Sequence, residues 1–341
     1  MRRVFAVIWP LCLGMVLWLS AGAALAGTTG PAQVVAKYTN GDLFQVDANG
    51  NFVWNGTAGG DKVTTVAPGA PNGTPLVGND GELCKSVGSD LYCDANGNGT
   101  WNGNAGGDLA TSFAASAGAG TFLFADTTGD GVKEIVKYVN DTFLVDANQN
   151  NVWNGTAGGD QVQSVAPGAP DGVPFACDCD GDANVELGKV VTATSDVFID
   201  LNGNGSWNGN AGGDSATSFA SAGGAGLFVF ANVNATLGDD ISKYYDAGDF
   251  FQVDENGNRV WNGTAGGDQV CSVAPGAASG APCAIDPDGD GSSALCKTTA
   301  ASEVFVDKNE NCVWNGNAGG DVAATFAGSS GAGLFVVLPL P

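Results

Sequence analysis

Three acidic phrases carry the most specific chemistry in this sequence. In Asp126-Thr127-Thr128-Gly129-Asp130-Gly131-Val132-Lys133-Glu134, side-chain oxygens stand at positions 1, 3, 5 and 9, and Val132 offers its backbone carbonyl at position 7. Calcium takes roughly six to eight oxygens from such a wrap, and a glycine after position 5 permits the sharp turn it needs. The spacing recurs in Asp178, Asp180, Asp182, Asn184 and Glu186. Asp286, Asp288 and Asp290 repeat its first half, with Ala294 at the ninth position. A degraded copy, Asn232, Asn234, Thr236, Gly238 and Asp240, keeps one carboxylate, and the loop after Val77 is cut to Asn79–Glu82. Carboxylates that converge in this way repel one another unless a cation sits among them, so Ca2+ is the expected ion.

The rest of the composition withholds most other chemistry. The chain of 341 residues has no histidine and a formal net charge of −24, and Arg259 is the only arginine after residue 26. Without His, and with one Arg, most hydrolase, lyase and phosphoryl-transfer sites cannot be assembled. Nucleic acid and anionic lipid both demand a basic surface, so neither is an expected partner. Charged residues make up 14%, while hydrophobic residues hold at 44% and glycine reaches 54 residues, which describes a folded, turn-rich chain with a core.

A second phrase organises the whole chain. DANGNFVWNGTAGGD at Asp47–Asp61 returns in five further variants starting at Asp94, Asp146, Asp200, Asp254 and Asp307, at intervals of 47, 52, 54, 54 and 53 residues. The copies alternate: odd ones read TAGGD and lead into Val-Ala-Pro-Gly, even ones read NAGGD and lead into Gly-Ala-Gly, so the chain is three copies of a two-repeat unit. Each phrase also places oxygens at positions 1, 3, 5 and 9, as in Asp47, Asn49, Asn51 and Asn55. With one firm carboxylate apiece these read as hairpin turns, which Asn and Asp make unaided, and weak calcium sites are the alternative. Trp54, Trp101, Trp153, Trp207, Trp261 and Trp314 recur one per phrase, which assigns them a packing job between neighbouring sheets in preference to a ring of sugar platforms.

The elements that must position these phrases are short strands. In the third repeat they fall at Thr121–Ala125, Glu134–Tyr138, Thr142–Asp146 and Gln161–Val165, each bounded by Gly, Asn or Asp. Four strands in about 50 residues, with no sustained helical periodicity, is the pattern of a propeller blade. Gln33–Tyr38 aligns with a second strand and Gly331–Val337 with a first strand, so both ends of the chain build one closing blade. The expected fold is all-β: a six-bladed β-propeller of four-stranded blades, with an open solenoid as the competing arrangement.

Residues 1–26 read as an export signal: Met1-Arg2-Arg3, an apolar run from Val4 to Ala24, and a small-x-small end at Ala24-Leu25-Ala26. Residues 27–341 then form a single domain, secreted or held at the cell surface, without membrane insertion after cleavage. Eight cysteines remain in that part, which suits disulfides in an oxidising compartment. The hairpin layout favours near neighbours: Cys84 with Cys93, Cys271 with Cys283 and Cys296 with Cys312, while Cys177 and Cys179 bridge locally or stay reduced.

DTTGDGVKEI, DCDGDANVEL and DPDGDG, each following an apolar strand, resemble the FG-GAP or VCBS-type repeats of integrin-like β-propellers, and the DxNGNGxWNG phrase looks like a bacterial subset of them. The resemblance covers nearly all of residues 27–341. It implies calcium in inter-strand loops and a secreted or surface protein that binds other molecules. The expected function is therefore a calcium-stabilised adhesion or binding module for an extracellular protein or glycan, and not an enzyme. A self-assembling subunit of a surface layer, fibre or matrix is the second reading. A polysaccharide lyase or glycosidase is a distant third, because the acids fall in repeated turns and not in one unrepeated cluster.

Overall fold

A computed structural model describes residues 32–39, 42–234, 238–246 and 248–339; the expected export signal of residues 1–26 and the Thr236 position of the degraded loop lie outside them. Within them the chain folds as six four-stranded antiparallel sheets, a six-bladed β-propeller. Blade I takes its first strand, Leu334–Pro339, from the C-terminal end and continues with Gln33–Thr39, Leu43–Val46 and Lys62–Thr65. Gln33 stands opposite Pro339 and Tyr38 opposite Leu334, so the closing blade is built from both ends. Blades II to VI then run over residues 74–112, 121–164, 173–218, 227–272 and 280–325. Blade III has strands at Thr121–Ala125, Glu134–Val139, Thr142–Val145 and Gln161–Ser164, within a residue or so of the ranges legible in the sequence. First strands of neighbouring blades touch all the way round, which closes the ring.

In an antiparallel meander the turns joining strands one to two and three to four lie at one end of each blade, and the remaining connections lie at the other. The acidic phrases are the one-to-two loops and the tryptophan phrases are the three-to-four loops, so one face of the disc carries both. Each acidic loop is also tied to the next around the axis. The amides of Val185, Asp239, Ser293 and Gln33 donate to the carbonyls of Asp126, Asp178, Asn232 and Asp286 in the preceding blade.

The opposite face is held by lysine. Six of the nine lysines in the chain sit one per blade in the second strand: Lys37, Lys85, Lys137, Lys189, Lys243 and Lys297, each 0% exposed. Each ammonium reaches back to the connection leaving the preceding blade, where it bonds the carbonyl of Ala327, Ala67, Ala114, Ala166, Ala220 or Ala274. Its second partner alternates. Lys85, Lys189 and Lys297 pair with Asp42, Asp141 and Asp249 in the preceding two-to-three turn. Lys37, Lys137 and Lys243 find serine hydroxyls there instead, those of Ser302, Ser89 and Ser195. Tyr38, Tyr138 and Tyr244 donate to the same three aspartates from within their own blades. The two-blade period of the sequence is thus a period of buried charge.

The tryptophans pack between blades. Trp54, Trp153 and Trp261 set their rings edge-on against Phe326, Phe113 and Phe219 of the preceding blade. Trp101, Trp207 and Trp314 do so against Tyr92, Phe198 and Phe305 of their own blade, while joining apolar clusters of the preceding one. Each tryptophan phrase also covers the outer strand of the blade before it, as in the bonds Thr65 N–H to Gly99 O and Ser272 N–H to Cys312 O. An outer strand is an exposed template for foreign pairing, and this cover blunts it.

That cover corrects two disulfide expectations. Cys84–Cys93 forms as expected, and Cys177–Cys179 closes locally around Asp178. Cys271, however, bonds Cys312, and Cys283 bonds Cys296. Cys283 and Cys296 are directly opposed on adjacent strands, whereas Cys271 lies on the outer strand of blade V under the phrase of blade VI that contains Cys312. Near-neighbour spacing cannot see a contact made between blades.

Candidate metal centres

The three acidic loops bring carboxylates together. Asp126, Asp130 and Glu134 offer oxygens within 4.8 Å of one another, as do Asp178, Asp180 and Glu186, and Asp286, Asp288 and Asp290. Position 1 is the buried root of each loop: Asp126 accepts from the amides of Gly129, Asp130 and Gly131, and Asp286 from those of Gly289 and Gly291. Gly129, at φ 73°, is held where an added Cβ would strike the Asn184 side chain of the next blade. These are hard oxygen donors on tight, pre-bent loops, which suits a divalent cation of the calcium class.

The remaining expected ligands divide. Thr128 donates its hydroxyl to Glu134, inside the first loop. Val132 is an exposed loop residue whose amide donates to Asp130. Asp182 and Asn184 are exposed and bond to each other, and Asn184 packs over Gly129 rather than over its own cluster.

Electrostatics mark the loops as short of positive charge. Burial, followed by the charges of Asp180, Asp178 and Asp182, pushes Glu186 up to about 9 against the amide bond from Cys179. Asp239 and Asp240 in blade V rise to about 7, mainly through burial. Burial and the charge of Asp182 raise Asp180 as well, and Arg259, which reaches across from blade V to donate to the Cys179 carbonyl, offsets that rise only in part.

Two contributors escape the nine-residue spacing because they come from the other loop of the same blade. Gln149 donates to Asp130 (2.8 Å) and Glu134 (3.0 Å) from the fourth position of its tryptophan phrase. Glu310 holds the same position in blade VI. Burial and the charges of Asp290, Asp288 and Asp286 push it up to about 7, against a bond from Ser292. The carboxylate absent at Ala294 is thus replaced from across the blade. The sequence signal was available, since this fourth position is glycine in the other four phrases and carries a ligand-type side chain only at Gln149 and Glu310.

A cleft of about 250 Å³ opens on the same face between blades II and III, where the shortened loop Asn79–Glu82 leaves room. Phe124, Leu109, Lys133, Glu134, Gln149 and Asn151 are among its lining residues.

No family profile matches the chain, and no curated protein matches it by sequence. Solved structures do share its fold. A lectin of Agrocybe aegerita, described as specifically recognising non-reducing terminal N-acetylglucosamine, superposes with a TM-score of 0.50 at 16% identity, over 84% of this chain and 76% of the lectin. A Tc holotoxin pore of Photorhabdus luminescens aligns at 12% identity and a TM-score of 0.48 over 84% of this chain, which spans 14% of that toxin chain. At 16% identity the likeness to the lectin is one of fold.

Proposed function

We propose that this protein is a secreted or surface-held, calcium-stabilised propeller of the FG-GAP or VCBS repeat type that binds a glycan through the cleft between blades II and III. The export signal of residues 1–26 and a single domain over 27–341 belong to this reading. Four disulfides, and the absence among the described residues of any helix long and apolar enough to cross a membrane, are compatible with it.

The cleft is the observation that carries the proposal. Its lining joins an aromatic edge, Phe124, to the side-chain amides of Gln149 and Asn151 and the carboxylate of Glu134. Such a mixture suits a ligand with apolar ring faces and many hydroxyls, and its size, below the usual range of ligand pockets, fits a single sugar unit. The lectin that shares the fold supports a terminal sugar as the first candidate. Binding, not catalysis, is the activity. A glycan array probed with calcium present tests it: terminal N-acetylglucosamine or a related sugar should score, and Asn151→Ala with Gln149→Ala should abolish the signal. An array without a hit refutes the glycan reading, and a hit indifferent to both substitutions refutes the cleft.

A structural subunit remains a second reading, favoured by one feature. Val63, Val162 and Val270 are exposed on the outer strands of blades I, III and V, where the even blades carry Ala110, Ala216 and Ala323. Three apolar rim positions suit lateral assembly, and calcium-dependent polymers in sedimentation velocity would establish it over a monodisperse monomer.

A further inference from the structure

The tryptophan phrases hold a second carboxylate that the spacing of positions 1, 3, 5 and 9 leaves out, at position 15. In blade IV these two acids are Asp200 and Asp214, 1% and 5% exposed, and in blade VI they are Asp307 and Asp321, 2% and 4% exposed. Each spends one oxygen on the backbone. Oδ2 of Asp200 accepts from Gly205 N–H at 2.7 Å, and that of Asp307 from Cys312 N–H at 2.8 Å. Oδ2 of Asp214 accepts from the amides of Asn208 and Gly209, and that of Asp321 from Asn315. The other oxygen of all four acids is buried without a hydrogen-bond donor among the described residues.

Four buried acceptors, each in direct interaction with the other acid of its phrase and given nothing to accept, are an arrangement proteins avoid. The other phrases relieve at least the second acid, although Oδ1 of Asp94 and Asp254 in blades II and V stays bare, so only blades IV and VI hold two such oxygens. Asn49, Asn96, Asn148 and Asn256 turn their side-chain amides onto Oδ1 of Asp61, Asp108, Asp160 and Asp268. Asn202 and Asn309 occupy the same position but bond the carbonyls of Gly212 and Gly319 and leave the aspartates bare. No lysine or arginine forms an ion pair with any of the four acids among the described residues.

We infer that the tryptophan phrases of blades IV and VI are each a site for one divalent cation of the calcium class, held between Asp200 and Asp214 and between Asp307 and Asp321. Two carboxylates balance one divalent charge, and the side-chain oxygens of Asn202 and Asn204, or Asn309 and Asn311, lie in the same loops to extend an all-oxygen shell. These sites add to the acidic one-to-two loops and do not depend on them.

Native mass spectrometry of the full exported chain, titrated with calcium chloride alone, tests the inference. A variant with Asp130→Asn, Asp180→Asn and Asp290→Asn disables the acidic loops and should still bind two ions. Adding Asp214→Asn and Asp321→Asn should take that count from two to zero. A triple variant that binds none, while the unaltered chain binds three, overturns these two sites and leaves the acidic loops standing. The reverse failure is separate: an unaltered chain that binds two ions, indifferent to the triple substitution, refutes calcium in the acidic loops alone. A pair of acids sharing a proton in place of a metal would also show no residual binding. As a check that spares the aspartates, terbium replaces calcium in the triple variant, where Trp207 and Trp314 lie within the two phrases and sensitise its emission. Trp207→Phe with Trp314→Phe should remove most of that emission, and unchanged emission overturns the sites.

Discussion

Replacing Lys297 and Lys243 separately by methionine compares one buried position in two electrostatic settings. Lys297 pairs with Asp249 at 2.5 Å, and Asp249 also accepts from Tyr244 and Gly276. Burial works against that carboxylate, but the bonds from Lys297, Gly276 and Tyr244 outweigh it and hold it below the usual range. Lys297→Met strands the charge, and removing one partner of a buried pair costs about 3–5 kcal/mol. Lys243 bonds Ser195 Oγ, Ala220 O and Gly224 O at 2.6, 3.0 and 2.5 Å, with no carboxylate, and burial lowers its pKa from 10.5 to about 8. Losing three hydrogen bonds at roughly 1 kcal/mol each is offset by about 3 kcal/mol of relieved charge burial, so Lys243→Met should be near neutral at pH 7. Equilibrium unfolding in urea with calcium present should therefore separate the two variants by about 3–5 kcal/mol. Between pH 8 and 10.5 the unfolded chain holds the Lys243 proton and the folded chain does not, so this contribution favours folding more as pH rises. Lys243→Met should lose that gain. Equal destabilisation of the two variants, or a pH trend unaffected by Lys243→Met, would refute the reasoning.

Other expectations follow from the same physics. Excess chelator should lower the melting temperature and calcium should restore it, because a site present only in the folded state stabilises that state; an unchanged melt in calorimetry removes the metal assignment. Replacing Cys271 and Cys312 by alanine should cost about 2–4 kcal/mol in urea unfolding, whereas a purely local staple at this place would cost far less. Trp153→Ala should destabilise by about 3 kcal/mol by unseating the edge contact with Phe113, and a loss below about 1 kcal/mol would reassign that ring to ligand contact.

Most of the fold was legible because turn chemistry here is repeated and local. Gly, Asn and Asp fence off most strands, and the match of Gln33–Tyr38 to a second strand marks the closing blade from sequence alone. What escaped was most of the polar and covalent bonding made between blades. A lysine in a five-residue strand reads as solvated when taken singly, yet Lys37, Lys85, Lys137, Lys189, Lys243 and Lys297 stand at one register position in six blades, which is the period of a structural job. Asp214 and Asp321 drew no notice because the nine-residue template stops before position 15. Cys312 stands where the other phrases carry Phe52, Gly99, Asn151, Gly205 and Arg259, and Cys271 where outer strands carry residues such as Thr111 and Thr217. Thr111 and Thr217 bond the carbonyls of Asn151 and Arg259, so the disulfide converts a contact already present elsewhere in the ring.

The alternation of aspartate and serine turns under the lysines also limits how such a ring can be re-sized. Each lysine is shaped to the connection and turn of the blade behind it, and those come in two kinds that must take turns around the circle. Excising one blade would seat two of a kind side by side, with a connection fitted to a neighbour that is no longer there. Excising or duplicating two preserves every junction. The heritable and engineerable part of this molecule is therefore the pair of blades, and rings built from it should come in even numbers.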